Sequence, residues 1–134
     1  DTFLQLIESL GDTCDVVLES SHERKSRPQE YRREGIERIL LESQLWNFEN
    51  LLLNDGCTSI AVLHSDQPFE VQLDEHKLII AYGPVMHMFE SILSERGVPQ
   101  KKNLRVISQG DHMHTSTNHF MTQFEDFASQ LHAE

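Results

Sequence analysis

The sequence has few of the features that mark several protein classes. Its 134 residues include only two cysteines, one tryptophan and four prolines. Two cysteines do not make a disulfide framework, so Cys14 and Cys57 are expected to be reduced thiols of a cytoplasmic protein. No apolar run approaches the ~18 residues that a transmembrane helix needs, and no secretory signal is recognisable. These absences argue against a membrane-spanning protein and against a disulfide-stabilised secreted domain.

Basic residues are also scarce, at 11 against 22 acidic residues, which gives a formal net charge of −11. An acidic surface repels the phosphates of nucleic acids and the headgroups of anionic membranes, so we expect neither as a partner. The largest basic cluster lies between Arg24 and Arg38, but Glu30, Glu34 and Glu37 lie within it and Glu23 directly precedes it, at helical spacing. This pattern favours a solvated helix face with internal ion pairs over an anion site.

Recognisable catalytic motifs are missing as well. The six glycines are scattered, so the chain has no glycine-rich phosphate loop. No serine or cysteine stands in a known nucleophile context with histidine and aspartate. The leading hypothesis is therefore a small cytoplasmic binding or regulatory domain without catalytic activity and without a cofactor. It would act through a protein partner or a small-molecule ligand.

The most regular part of the sequence, residues 57–82, predicts three consecutive strands. The first is Thr58–His64, which is largely apolar. The second, Phe69–Leu73, alternates apolar and polar residues, so one face is expected in the core and the other in water. The third, Leu78–Ala81, is an unbroken apolar run between turn residues, which predicts the most buried strand of the sheet.

Apolar residues at helical spacing predict four helices around these strands. The helices are Thr2–Leu10, Ser26–Leu53, Pro84–Gly97 and Thr117–Leu131, and further strands are predicted at Val16–Leu18 and Leu104–Ser108. Trp46 is expected in the core or in a helix-packing contact. The expected fold is a single α/β domain (mixed α+β) over residues 1–134, in the order α-(β)-α-β-β-β-α-β-α. A β-meander is followed by a βαβ unit, and the helices pack on a mixed sheet.

The first candidate site lies where three strands of this sheet are expected to end, at His64, Tyr82 and Ser108. Ligands of open α/β sheets bind outside the carboxyl ends of parallel strands. The polar loop before the last helix adds further candidates, which are Asp111, His112, His114 and His119.

His112 and His114 point to the same side of an extended segment, and with Asp111 or His119 they form a candidate site for a divalent metal such as zinc. The alternative interpretation is a solvated polar loop. The eight histidines of the chain favour that alternative, because chance clusters are common at such a number.

The second candidate site is the turn Asp74-Glu75-His76-Lys77, with Tyr82 after it. Glu75 and Lys77 form an acid-x-lysine pair at the head of a strand. With the α-β-β-β-α-β order, the pair resembles the restriction-endonuclease-like nuclease core, which implies metal-assisted hydrolysis. In that family the acid and the lysine lie within a strand, whereas Leu78–Tyr82 contains no acid.

In this nuclease-like interpretation, Glu70 or Asp74 would have to replace the missing acid. A polar hairpin turn is the alternative interpretation of these residues, and the low specificity of the motif favours it. A metal-assisted hydrolase or nuclease-like enzyme is therefore the alternative functional hypothesis for the chain.

Overall fold

The computed structural model of the chain describes residues 1–22, 28–101 and 116–134. Within these ranges the chain forms five helices and five strands. They are α1 (Thr2–Glu8), β1 (Thr13–Ser20), β2 (Gln29–Glu37), α2 (Arg38–Asn47), α3 (Glu49–Asn54), β3 (Thr58–His64), β4 (Glu70–Leu73), β5 (Ile79–Tyr82), α4 (His87–Glu95) and α5 (Asn118–Gln130). The mixture of helices and strands confirms the predicted fold class, and the element order roughly follows the prediction.

The five strands form one sheet in the order β2-β1-β3-β4-β5. Each pair of neighbouring strands is antiparallel. The β3-β4-β5 part is the predicted meander. The predicted strand Leu104–Ser108, and with it the βαβ unit, lies outside the described residues.

Side chains alternate between the two faces of the sheet, and one face carries the core. Val16 and Leu18 on β1, Ile60 and Val62 on β3 and Val71 on β4 all point to this core face. Buried residues from all five described helices pack against it in a single cluster. The predicted alternation of β4, with one face in the core, is confirmed.

The largest difference from the sequence prediction is at Gln29–Glu37, which forms β2 instead of the first part of a long helix. Its side chains alternate, with Tyr31 and Arg33 partly buried and their neighbours exposed. Leu18 of β1 lies opposite Tyr31, and Val16 lies opposite Arg33. The strand forms because of this pairing with β1, which the local helical spacing of the sequence does not reveal.

Gly35 interrupts the segment that the sequence predicts as helical. Its φ angle is +66°, in the left-handed region that favours glycine. The register of β1 and β2 shifts here, and the Gly35 N–H donates to the Asp15 carboxylate at 2.9 Å. The chain becomes helical only at Arg38 and breaks again at Phe48 between α2 and α3. The long helix prediction is therefore correct only for its second half.

The prediction that Leu78–Ala81 is the most buried strand is wrong. β5 lies at one end of the sheet formed by the described residues, and its Ile79 and Tyr82 are 40% and 49% exposed. The fully buried strand residues lie instead on strands that have neighbours on both sides, such as Val16 and Val62. An apolar run reports hydrophobicity, whereas burial also depends on where the strand lies in the sheet.

The ends of α4 and α5 follow the capping residues that the sequence predicts. The Thr117 hydroxyl accepts a hydrogen bond from the Phe120 N–H at 3.2 Å, so Thr117 is the N-cap of α5. After α4, Gly97 has a φ of +78°, and the N–H of Val98 donates to the Leu93 carbonyl at 2.9 Å. This is the geometry of a Schellman C-cap.

Candidate functional site

β3 and β5 run in the same direction, so His64 and Tyr82 lie at the same edge of the sheet, as the sequence predicts. The registers of β3, β4 and β5 put both residues beside the start of β4. His64 Nδ1 accepts hydrogen bonds from the backbone N–H groups of Asp66 and Gln67 at 3.0 and 3.1 Å. These bonds hold the imidazole in the turn between β3 and β4.

His119 does not join His64 at this edge. It is exposed in the first turn of α5, and the preceding residues Ser116 and Thr117 line a cleft together with Cys57. Cys57 directly precedes β3, whereas His64 is its last residue. The strand between them spans roughly 20 Å. His64 and His119 therefore do not lie together at one edge of the sheet, although the sequence predicts that they would.

The other residues of the first candidate site, Asp111, His112 and His114, lie outside the described residues, so the zinc prediction for this loop stays a prediction. Within the ranges that the structure describes, no group of three or more His, Cys, Asp or Glu side chains is arranged to hold a metal ion.

The second candidate site, residues Asp74 to Lys77, forms the turn between β4 and β5. The Asp74 carboxylate accepts from the backbone N–H groups of His76 and Leu78 at 2.9 and 2.8 Å. Lys77 has a φ of +65°, which is uncommon for a residue with a side chain. Glu75 and Lys77 lie in this turn and not within β5, so the pair lacks the placement that the nuclease-like family uses.

The side chain of Lys77 reaches from this turn to the start of β3. Its Nζ donates to the Thr58 carbonyl at 3.2 Å. Burial lowers the pKa of Lys77 below its ordinary value, while the negative charges of Asp55, Asp74 and Glu75 act in the opposite direction. The structure thus brings Lys77, one of the sequence candidates, near Asp55, a residue that the sequence did not single out.

Asp55 is the centre of a buried polar cluster, formed by Ser20, His22, Asp55 and Thr58. The Asp55 Oδ2 atom lies 2.5 Å from His22 Nε2 and accepts from the Thr58 hydroxyl at 2.5 Å. Ser20 Oγ lies 2.5 Å from the other ring nitrogen, His22 Nδ1. The side chains of His22 and Asp55 are only 2% and 0% exposed.

The hydrogen bonds of this polar cluster set the charge state of Asp55. Burial alone would raise the pKa of the carboxyl group, because it disfavours the charged form. Hydrogen bonds from Ser116 and Thr58, together with the charge and the hydrogen bond of His22, outweigh burial and hold the pKa of Asp55 below its ordinary value. Asp55 is therefore an ionised and fully hydrogen-bonded group at neutral pH.

A polar cleft of about 290 Å³ opens beside the polar cluster at the start of α5. It is lined by Ser21, His22, Cys57, Ser116, Thr117, Asn118 and Met121. Hydroxyl and amide groups dominate this lining, so a small polar molecule is the kind of ligand that it suits.

The polar cluster contains the residue types of a hydrolase triad but not an accessible arrangement of them. An ionised carboxylate only accepts hydrogen bonds, so His22 Nε2 donates to Asp55, while Ser20 Oγ lies against Nδ1. Both ring nitrogens are thus engaged, and Ser20 is only 6% exposed. The Ser20 hydroxyl, which lies against His22, is therefore shielded from a substrate in the cleft.

Sequence reasoning missed this polar cluster because its members lie in segments that look like connections. Residues 54–56, Asn-Asp-Gly, are typical of a helix end, and the polar run after Ser20 is typical of a loop. One signal was present, since Leu18, Ser20 and His22 continue the period of two that marks the core face of β1. The partner Thr58 becomes visible only when Ser20 is paired with it across β1 and β3.

A second surface feature is an apolar groove between α1 and the α2–α3 pair, with a volume of about 90 Å³. We call it the Trp46 groove. Its apolar lining residues are Phe3, Leu4, Leu45, Trp46, Leu52, Leu53 and Leu73, and its charged ones are Asp1 and Glu49. Trp46 was expected in the core or in a helix-packing contact, but it is 53% exposed on the wall of this groove.

Exposed hydrophobic residues are concentrated beside the Trp46 groove. Among the described residues, half of the eight large hydrophobic side chains that are exposed lie between positions 39 and 53. Ile39, Trp46 and Leu53 are 71%, 53% and 52% exposed and follow one another at intervals of seven residues. Because seven residues are close to two helical turns, Ile39 and Trp46 lie on one face of α2, and Leu53 of α3 lies with Trp46 on the groove wall; we call these three side chains the apolar stripe.

No family model, no curated protein and no solved structure matches the chain. The candidate binding surfaces of the chain are therefore the two features described above, the polar cleft and the Trp46 groove. No helix among the described residues is long and apolar enough to cross a membrane.

Proposed function

We propose that this chain is a small non-catalytic binding domain that recognises a protein partner through the Trp46 groove. One observation carries the proposal: Trp46 and Leu53 are half-exposed on the wall of a largely apolar groove, and Ile39 is exposed on the same helix as Trp46. Contiguous exposed apolar surface of this kind marks protein-interaction sites. Tryptophan is also among the residues that contribute most to binding energy at interfaces.

The size of the stripe indicates what the partner has to cover. Full burial of a large apolar side chain contributes about 1.5–3 kcal/mol, so three half-exposed side chains contribute roughly 3–5 kcal/mol together. A micromolar complex needs about 8 kcal/mol. The partner must therefore cover the groove as well as the stripe.

The arrangement of the polar cluster supports a domain without catalytic activity, because the Ser20 hydroxyl that lies against His22 is only 6% exposed. The net charge of −11 supports a partner other than nucleic acid. The two free thiols fit the proposed cytoplasmic location. The alternative, a metal-assisted hydrolase or nuclease-like enzyme, would use either the carboxyl-edge cluster, whose Asp111, His112 and His114 lie outside the described residues, or the turn Asp74–Lys77.

A small polar ligand in the cleft beside Cys57 is the second candidate function. The observation that favours it is the lining by three hydroxyl groups and one amide, from Ser21, Ser116, Thr117 and Asn118. A ligand of this kind and a protein partner at the Trp46 groove would occupy different surfaces and do not exclude each other.

The protein-binding function is tested by selecting peptides on the immobilised domain. A display library of random peptides of about 16 residues, enough for four helical turns, is screened against the native chain. We expect enriched peptides that lose at least tenfold in affinity for the double variant Trp46→Ser, Leu53→Ser. They should keep their affinity for a Val85→Ser variant, because Val85 is equally exposed but does not line the groove. An absence of groove-dependent peptides would overturn the proposal.

A further inference from the structure

We propose that the occupant of the Trp46 groove is a basic amphipathic helix of a partner protein. This inference rests on the proposed function and adds the chemical class of the partner.

The backbone of the groove favours a helical occupant. With the exceptions of Asp1 and Leu73, every lining residue lies on α1, α2 or α3. Backbone N–H and C=O groups within a helix bond to each other, so these walls do not offer the row of free groups with which a sheet edge pairs an extended peptide. A segment that enters the groove must satisfy its own backbone hydrogen bonds, and a helix does so.

The length of the apolar stripe matches such a helix. Ile39 and Leu53 are fourteen residues apart on two nearly continuous helices, a distance of about 21 Å at helical rise. A partner helix of four turns is equally long and presents apolar anchors at positions i, i+3 or i+4 and i+7. Its apolar face then lies against Trp46 and Leu53.

The charges at the groove favour basic flanks on that helix. The two charged side chains that line it, those of Asp1 and Glu49, are both carboxylates, and Asp1 also carries the N-terminal ammonium group, so Glu49 supplies the net negative charge. Arg38, a basic residue at the start of α2, is held by Glu42 at 2.8 Å and by the Gly11 carbonyl at 3.1 Å. A carboxylate beside an apolar floor, in a chain with a net charge of −11, is complementary to a helix with lysine or arginine beside its apolar face.

The charge of the whole chain disfavours the simplest alternative occupant, a second copy of the chain. A second copy would bring another net charge of −11 to the groove. Like charges at an interface disfavour association, whereas the same field attracts a basic helix.

The chain carries its own reporter for this test, because Trp46 is the only tryptophan and lies on the groove wall. Two synthetic helical peptides of about 16 residues share leucines at helical spacing, and their remaining positions are lysine in one and glutamate in the other. Each is titrated into the native chain while Trp46 fluorescence is recorded. We expect a saturable blue shift with the leucine–lysine peptide, at least tenfold tighter than with the leucine–glutamate peptide.

Two variants that keep Trp46 separate docking in the groove from adsorption to an acidic surface. Leu53→Ser should weaken the leucine–lysine peptide about tenfold, and Glu49→Gln about threefold. Val85→Ser should leave its affinity unchanged. Binding that is the same in Leu53→Ser as in the native chain would show adsorption outside the groove and overturn the inference.

The remaining outcomes separate the inference from the proposed function. Equal binding of both peptides, or tighter binding of the leucine–glutamate peptide, overturns the basic helix and leaves a groove that binds proteins. If neither peptide binds but the display selection yields groove-dependent peptides of another kind, the basic helix is also overturned and the protein-binding groove remains. Concentration-dependent dimerisation that Leu53→Ser abolishes would identify a second copy as the occupant and overturn the inference.

Discussion

A carboxylate with no solvent exposure, such as that of Asp55, is stable in a protein only when hydrogen bonds replace its water. The bonds from His22 and Thr58 do so. We expect Asp55→Asn to lower the free energy of unfolding by about 1–3 kcal/mol at pH 7, because a buried network that loses one acceptor leaves its donors unpaired. Urea unfolding measures this, with the exposed Asp66→Asn as the control, for which we expect no change.

The difference in stability between the native chain and Asp55→Asn should depend on pH, because the pKa of Asp55 is lower in the folded chain than its ordinary value of 3.8. The ionised carboxylate stabilises the fold above that value, and this contribution is lost as the pH falls through the lower folded value. The native chain and Asp55→Asn should therefore approach each other in stability near pH 3. A difference that stays constant between pH 7 and pH 3 would contradict this account of Asp55.

Contacts between residues that are far apart in the sequence could not be predicted at the candidate site. Lys77 was identified from its position beside Glu75 in the sequence, but its contact is the Thr58 carbonyl, nineteen residues away. His22 and Asp55 are 33 residues apart and meet only because β1 and β3 pair. Such pairs depend on strand register, which the local pattern of a sequence does not specify.

Among the elements, the turn between β4 and β5 holds Lys77 in a left-handed conformation that costs a residue with a Cβ atom about 1–2 kcal/mol. Lys77→Ala and Lys77→Gly both remove the hydrogen bond to Thr58, but only glycine relieves the backbone. We expect Lys77→Gly to be more stable than Lys77→Ala by about 1 kcal/mol in urea unfolding.

The comparison of these two variants has its own control at an ordinary backbone position. At Gln130, in the last turn of α5, the same pair of substitutions should have the opposite order, because alanine favours a helix over glycine by about 1 kcal/mol. If alanine is also the more stable residue at position 77, the turn does not carry the strain that its φ angle indicates.

The sequence predicted correctly those helices and strands whose patterns depend only on neighbouring residues. Thr117 and Gly97 cap their helices as predicted, and the alternation of β4 was sufficient to assign its core face. β2 was missed because Tyr31 and Arg33 become strand residues by pairing with β1. The Trp46 groove could not be predicted either, since apolar residues at helical spacing look the same whether they face a core or a partner.

Across the whole molecule, the two faces of the sheet differ in character. The core face is covered by the helices, whereas the opposite face of the described sheet carries half-buried Glu19 with Glu30 directly opposite it on β2. Like charges directly opposite one another on paired strands are destabilising. Burial is the main cause that raises the pKa of Glu19, followed by the negative charges of Glu30, Glu75 and Glu70.

This raised pKa predicts that Glu19→Gln stabilises the fold at neutral pH. A carboxyl group with a higher pKa in the folded chain favours folding below its unfolded pKa, and this contribution is lost as the pH rises through the folded value. Removing the charge should therefore add on the order of half a kcal/mol to the free energy of unfolding at pH 7, after solvent screening, and nothing near pH 3. The gain should shrink in 1 M salt, where charges are screened within about 3 Å. Glu125→Gln, on the exposed side of α5, should show no comparable gain. An equal gain in both variants would assign the effect to the net charge of the chain instead of the acidic face of the sheet.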